Sequence, residues 1–239
     1  MNRFFVDCEL VVGDVLTLPD DVAHHWGKVL RARVSDNAVL FNGQGGEYAV
    51  TLTHIDKKSA QVTINNYNPN NKDAPFKVTL GQVMSRGERM DYAIQKAIEM
   101  GVHQIQLLTS EHCQEYLKYE RDKKKLTHWQ AVAVAACEQC GLNIVPQVLP
   151  PIDVRDWVTQ CTSTLKLIMA VSDGDYQPTN LPQDIALLVG PEGGLSQDEI
   201  DLAISHGFHA WTIGERVLRT ETAPVVALSA LQTIWALSR

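Results

Sequence analysis

Ile185-Ala186-Leu187-Leu188-Val189-Gly190-Pro191-Glu192-Gly193-Gly194-Leu195-Ser196-Gln197-Asp198-Glu199 is the stretch that sets the fold class. Its first five residues are apolar without alternation, the pattern of a strand covered on both faces, as in a parallel sheet. The glycines that follow permit backbone angles closed to other residues and let a ligand approach the main chain. Ser196 to Glu199 then reads as a capping box, with the serine hydroxyl capping the next helix and Glu199 reaching back. Strand, glycine loop and capped helix could cradle a nucleotide, although the loop is neither G-x-G-x-x-G nor a P-loop.

The same setting recurs downstream in Gly214-Glu215-Arg216-Val217-Leu218-Arg219-Thr220-Glu221-Thr222-Ala223-Pro224. Two arginines, two carboxylates and two threonines exceed what a turn needs, and Pro224 suits the first turn of a final helix. That helix repeats Val225, Leu228, Leu231 and Trp235 at helical spacing. Loops at the carboxyl ends of parallel strands are where open α/β sheets bind ligands. The two loops together predict one pocket.

Outward from these loops, strands and helices alternate. Lys77–Val83, Val102–Leu108, Leu165–Val171 and Ala210–Ile213 read as strands, and Glu88–Met100 and Leu126–Cys140 as helices. Met90, Ile94, Ala97 and Ile98 share one helix face, and Gly101 is placed to end that helix. Such alternation predicts an α/β domain of parallel strands over residues 76–239. Residues 1–70 read differently, as short strands with turn signals and one helical insert, Asp20–Leu30, which suggests a small barrel. Val11-Val12 and Val15 to Leu18 flank Gly13-Asp14, a hairpin-type dipeptide. The Asn- and Pro-rich run Asn65–Pro75 marks the boundary.

Bulk properties narrow the function. The chain has 239 residues, 45% of them hydrophobic, enough for a substantial core. No apolar run approaches the roughly 18 residues of a membrane span. The N-terminus lacks a signal-peptide pattern, so a cytoplasmic location is expected. Five cysteines do not make a disulfide framework, and the Cys137-x-x-Cys140 pair lies within a helix, so no metal is expected. A net charge of −7 excludes binding nucleic acid by bulk electrostatics. Local basic clusters remain, at Lys28, Arg31 and Arg33 and at Lys118, Arg121 and Lys123–Lys125.

Leu187 to Ser196 and Ile213 to Ala223 resemble the two signature loops of the bacterial ribosomal RNA small subunit methyltransferase E family. The resemblance continues through Arg89-Met90-Asp91, Gln95 to Val102, Ala136 to Gly141 and His25 to Arg31, and so spans nearly the whole chain. It departs at His112 and Leu142, where the family pattern has arginine, and at Leu107 and Glu215, where it has proline. The resemblance implies an N-terminal PUA-like β-barrel for RNA, then a SPOUT-class α/β domain with a C-terminal trefoil knot over about residues 165–239.

It further implies a homodimer that uses S-adenosylmethionine (SAM), releases S-adenosylhomocysteine and methylates uracil N3 in 16S rRNA, with an assembled small subunit as the expected substrate. Catalytic roles then fall to Arg219 and Glu221. The cofactor would lie against Met169, Ala170, Gly190, Glu192, Gly193, Gly194, Ile213, Val217, Leu218, Thr220 and Ala223. RNA would be held by Arg3, Lys28, Arg31, Arg86, Arg89 and Lys96. Two other classes fit parts of the pattern, a ribose 2′-O-methyltransferase of the same fold and a non-catalytic RNA-binding dimer. The absence of an N-P-x-N-x-G segment at the start of the second domain, and the R-T-E-T-A string, argue against the first.

Overall fold

The computed structural model describes residues 1–56, 59–113, 119–170 and 176–238, with the backbone alone over 119–122. The chain divides into two units, 1–73 with 137–145, and 74–136 with 146–239. Lys118, Val171 and the side chain of Arg121 lie outside the described residues.

The first unit comprises β1 (Asn2–Phe5), β2 (Val15–Thr17), α1 (Asp20–His24), β3 (Asn37–Phe41), β4 (Glu47–Ile55) and β5 (Ala60–Asn68). Its five strands form one sheet in the order β1-β3-β4-β5-β2. Alternate residues of β4 and β5 (Val50, Leu52, Ala60, Val62 and Ile64) point inward onto Phe4, Leu40 and Trp26, the two-residue period of strands with one buried face. The helical insert spans Asp20–Val29, close to the expected Asp20–Leu30, but only its first half is α-helical. After α1 the backbone widens into a single π-helical turn over His25–Val29, which buries Trp26. The hairpin expected around Gly13-Asp14 does not form. Val11 and Val12 are exposed and unpaired in any strand, while β2 pairs antiparallel with β5. The turn there serves another end, since the Gly13 N–H donates to the Ile64 carbonyl at 2.8 Å.

Residues 137–145, which the sequence reading assigned to the α/β domain, group with this first unit for a polar reason. The Phe5 N–H donates to the Glu138 carboxylate at 2.8 Å, and the Arg3 guanidinium donates to Asn143 Oδ1 at 2.7 Å and to the Leu142 carbonyl at 3.3 Å. Asn143 in turn donates to the Asn70 carbonyl at 2.6 Å. Burial pushes the Glu138 carboxyl up, against the pull of the Phe5 N–H and of His25 and Arg3.

The second unit comprises β6 (Lys77–Val83), α2 (Glu88–Glu99), β7 (Gln104–Thr109), α3 (Tyr119–Cys140, whose last turn belongs to the first unit), β8 (Gln147–Asp153), α4 (Val154–Gln160), β9 (Leu165–Met169), β10 (Asp184–Val189), α5 (Gln197–Ser205), β11 (Phe208–Ala210) and α6 (Ala223–Leu237). Its six strands are all parallel, in the order β11-β9-β10-β6-β7-β8. The apolar runs of β9 and β10 are buried as continuous hydrophobic strands require, with Ile185 to Leu188 fully inside. Gly81 in the central strand β6 makes room for a large ring. A Cβ there would stand 2.6 Å from Trp157 of α4. Trp157 itself packs on Phe208 of β11, with ring centroids 5.8 Å apart.

Strand order fixes where a ligand can lie. From β6 the chain builds outward to β7 and β8 on one side, and then returns to place β9, β10 and β11 on the other. The order therefore reverses between β6 and β10, and ligands of open α/β sheets bind beyond the carboxyl ends of the strands at such a reversal.

Candidate active site

Three loops meet at that reversal, and each is held by bonds its own sequence supplies. The loop after β10 turns on a Gly194 N–H to Pro191 carbonyl bond of 3.0 Å, with Gly194 at φ +72°, a region that favours glycine. Ser196 and Glu199 form the expected capping box at the start of α5. Glu199 does more than cap. It is fully buried, and its second oxygen accepts the Glu111 N–H at 2.8 Å, joining the segment after β7 to the segment after β10. His112 then lies beside this loop, its Nδ1 3.3 Å from the Gly194 carbonyl.

The third loop, between β11 and α6, is tied at two points. The Thr212 hydroxyl donates to the Ala170 carbonyl at 3.1 Å, and the Thr220 hydroxyl donates to the Gly190 carbonyl at 2.7 Å. The final strand is displaced from the expected Ala210–Ile213. Phe208–Ala210 form the strand paired with β9, the Trp211 N–H still donates to the Ile168 carbonyl of β9 at 2.9 Å, and Trp211 to Ile213 then line the site.

Together these loops enclose a cavity of about 670 Å³, within the ~300–1,000 Å³ common for small-molecule sites. Met169, Ala170, Gly190, Glu192, Gly194, Ile213, Val217, Leu218, Thr220 and Ala223 line it, as do Arg219 and Glu221. Gly193 does not. It backs onto His112, whose Cβ would be 3.2 Å from a Cβ at that position. Trp211, Thr212, Leu195 and Ile200, not among the expected cofactor contacts, also line it. Trp211 and Thr212 read as part of the final strand, and pairing register, which ends that strand, is not written in local sequence.

Two ion pairs lie in the site, beside the charged Glu215 and Arg216. Arg219 Nη1 stands 3.9 Å from Glu221 Oε1, with the arginine side chain 79% exposed and the glutamate 14%. Glu221 Oε2 is buried without a hydrogen-bond partner among the described residues. Across the cavity, Arg89 Nη1 donates to Glu192 Oε1 at 2.6 Å. Partial burial works against ionisation of Glu192, but its own N–H, the Arg89 bond and the Arg86 N–H outweigh it and hold the carboxyl below its usual range.

The residues expected on RNA separate into two kinds. Lys28, Arg31 and Arg86 are exposed. Arg89 is exposed in part and spent on Glu192, and Lys96 is engaged by both oxygens of Glu99 at 2.7 and 2.9 Å. Arg3 must be corrected. Its side chain is only 12% exposed, paired with Glu47, stacked over Phe41 at 4.9 Å and bonded to Leu142 and Asn143, so its charge is consumed in closing the first unit. No group of three or more metal-ligating side chains occurs among the described residues, and no helix is long and apolar enough to cross a membrane.

Comparison with known proteins agrees with this architecture. Residues 72–232 match the RNA methyltransferase domain family and residues 18–65 the RNA methyltransferase PUA domain family. The ribosomal RNA small subunit methyltransferase E of Buchnera aphidicola is 32% identical over 96% of this chain and 95% of its own length. That of Bacillus subtilis is 26% identical over 97% and 96%. The crystal structure of the Neisseria gonorrhoeae enzyme bound to S-adenosyl methionine superposes with a TM-score of 0.91, at 39% identity and 98% coverage of both chains. With a parallel sheet whose order reverses beside a cavity, a PUA domain before it and full-length relatives of one kind, the chain belongs to the ribosomal RNA small subunit methyltransferase E family.

Proposed function

We propose that this chain is a SAM-dependent methyltransferase that places a methyl group on N3 of a uridine in 16S rRNA. The observation that carries the reading is the convergence of the two diagnostic loops on one cavity, with Glu192 and Arg219 both in its wall. The residues present suit the cofactor. Apolar side chains (Met169, Ile213, Leu218) offer a surface for a purine, and backbone of the glycine loop is open to its polar groups. Bound there, SAM would supply a methyl group already activated on a sulfonium.

The protein's task is then alignment and charge. Holding two reactants in a near-attack geometry can contribute roughly 7–11 kcal/mol. Uracil N3–H is weakly acidic, so negative charge grows along the O2–N3–O4 edge as the proton leaves. Arg219, mostly exposed and steadied by Glu221, is the donor to receive that charge. Glu221 Oε1 orients the guanidinium, and its carboxylate is the candidate to take the proton.

Lys28 and Arg31 of the PUA domain and Arg86, two residues before α2, would contact phosphate. The knot expected over residues 165–239, a barrel closed from the first sheet and a homodimer belong to the same reading. Purified protein, SAM and small-subunit particles lacking the modification test it, with mass spectrometry of the nucleosides. The expected product is 3-methyluridine. A ribose-methylated nucleoside, or none, rejects the proposal.

A further inference from the structure

A buried amide outside the cavity sets the shape of its cofactor loop. Gln82 lies near the end of β6, opposite Val189 of β10, at the point where strand order reverses. Its side chain is 1% exposed. Nε2 donates twice, to the Val83 carbonyl at 3.1 Å and to Thr220 Oγ1 at 3.1 Å. The Val83 contact fixes which end of the amide is nitrogen, since an oxygen there would face another acceptor.

The direction of the whole chain of bonds follows. Thr220 Oγ1 accepts from Gln82, so its single proton is free for the Gly190 carbonyl, 2.7 Å away. Three segments distant in sequence, the end of β6, the first residue after β10 and the catalytic loop, are thereby locked in one register. Two of them, Gly190 and Thr220, line the cavity, and Thr220 sits between Arg219 and Glu221.

The amide is not there for its volume. Gln82 Oε1 is buried and has no partner among the described residues, which costs free energy that an apolar side chain would avoid. Its two donated bonds are what offset that cost.

We infer that Gln82 is a positioning residue, which holds Thr220 against Gly190 and so preorganises the SAM cavity before the cofactor arrives. The inference rests on the proposal that this cavity takes SAM. Replacement by methionine keeps the size and removes both donors, leaving the Thr220 hydroxyl free to turn from Gly190.

The test is calorimetric titration of the whole protein with SAM, well below the melting temperature of each variant, for wild type, Gln82→Met, Thr220→Val and Thr220→Ser. Loss of one such bond in a buried chain corresponds to about a tenfold weaker Kd. Gln82→Met and Thr220→Val should each show that loss, and serine, which restores the hydroxyl, should recover most of what valine forfeits. A folded Gln82→Met protein that binds SAM within about twofold of wild type overturns the inference. So does equal weakening in the serine and valine variants, which remains decisive if the methionine variant does not fold. Wild-type protein that fails to bind SAM would instead refute the cofactor reading itself.

Discussion

Arg219 and Glu221 are two residues apart yet differ sharply in exposure, and the roles proposed for them rest on that contrast. A mostly exposed guanidinium is available to an incoming base, whereas a largely buried carboxylate can hold it but cannot easily move. Arg219→Ala is expected to lower turnover by roughly 100- to 1,000-fold, with SAM binding retained in calorimetry. Unimpaired turnover would remove the arginine from the mechanism. Glu192 makes a different prediction, because its folded carboxyl titrates below the unfolded value. Its stabilising contribution is complete above the unfolded carboxyl range, about pH 4.3, and is lost as pH falls through the lower folded value. Thermal unfolding of wild type and Glu192→Gln should therefore differ by a constant, small amount near neutrality. The two curves should converge in acid, and a gap that widens in acid would contradict the sign.

Helix α5 shows how one side chain can serve two elements. Glu199 caps its own helix through Ser196 and also accepts the Glu111 N–H, so its removal takes away a part-buried bond between segments as well as a cap. Glu199→Ala should cost about 2–4 kcal/mol in denaturant unfolding. Glu199→Gln, able to accept with only one oxygen, should fall between. The capping box was legible from Ser196-x-x-Glu199 alone, but the second bond was not, since nothing local announces a partner 88 residues away. The same limit explains the other differences. Buried strands β9 and β10 and helix α2 announce themselves by continuous or periodic apolarity. Strand β8 went unread because Pro150 and Pro151 interrupt it, which an edge position tolerates. The π-helical turn after α1 carries the same residues an α-helix would and is set by the burial of Trp26. Within the site the motif strings located both loops, while Gln82, an ordinary polar residue in a strand, gave no sign until its partners were in place.

At the level of the whole molecule, apolar side chains on the loop between β11 and α6 and on α6 itself stand open to solvent. Val217 is 87% exposed and Leu237 81%. A second copy of the chain is the expected cover, since closed two-fold pairs are the commonest assembly of soluble proteins. Sedimentation equilibrium should give twice the chain mass across the micromolar range, and a monomer would dismiss the pairing. The first unit has a consequence for biosynthesis. Its sheet uses residues 1–73, and Arg3 has Glu47 and Phe41 within that span, but the second guanidinium nitrogen of Arg3 and the Phe5 amide find their partners only at 138–143. At ~5–20 residues per second, several seconds of translation separate the emergence of the arginine from that of its acceptors. Through that interval the nascent head of the protein carries a half-satisfied guanidinium and an unbonded Phe5 amide, completed only when the chain has been made past residue 143. A fragment ending at residue 73 is thus a folding intermediate by composition, and it should exchange its β1 amides quickly until a peptide spanning 137–145 is added back.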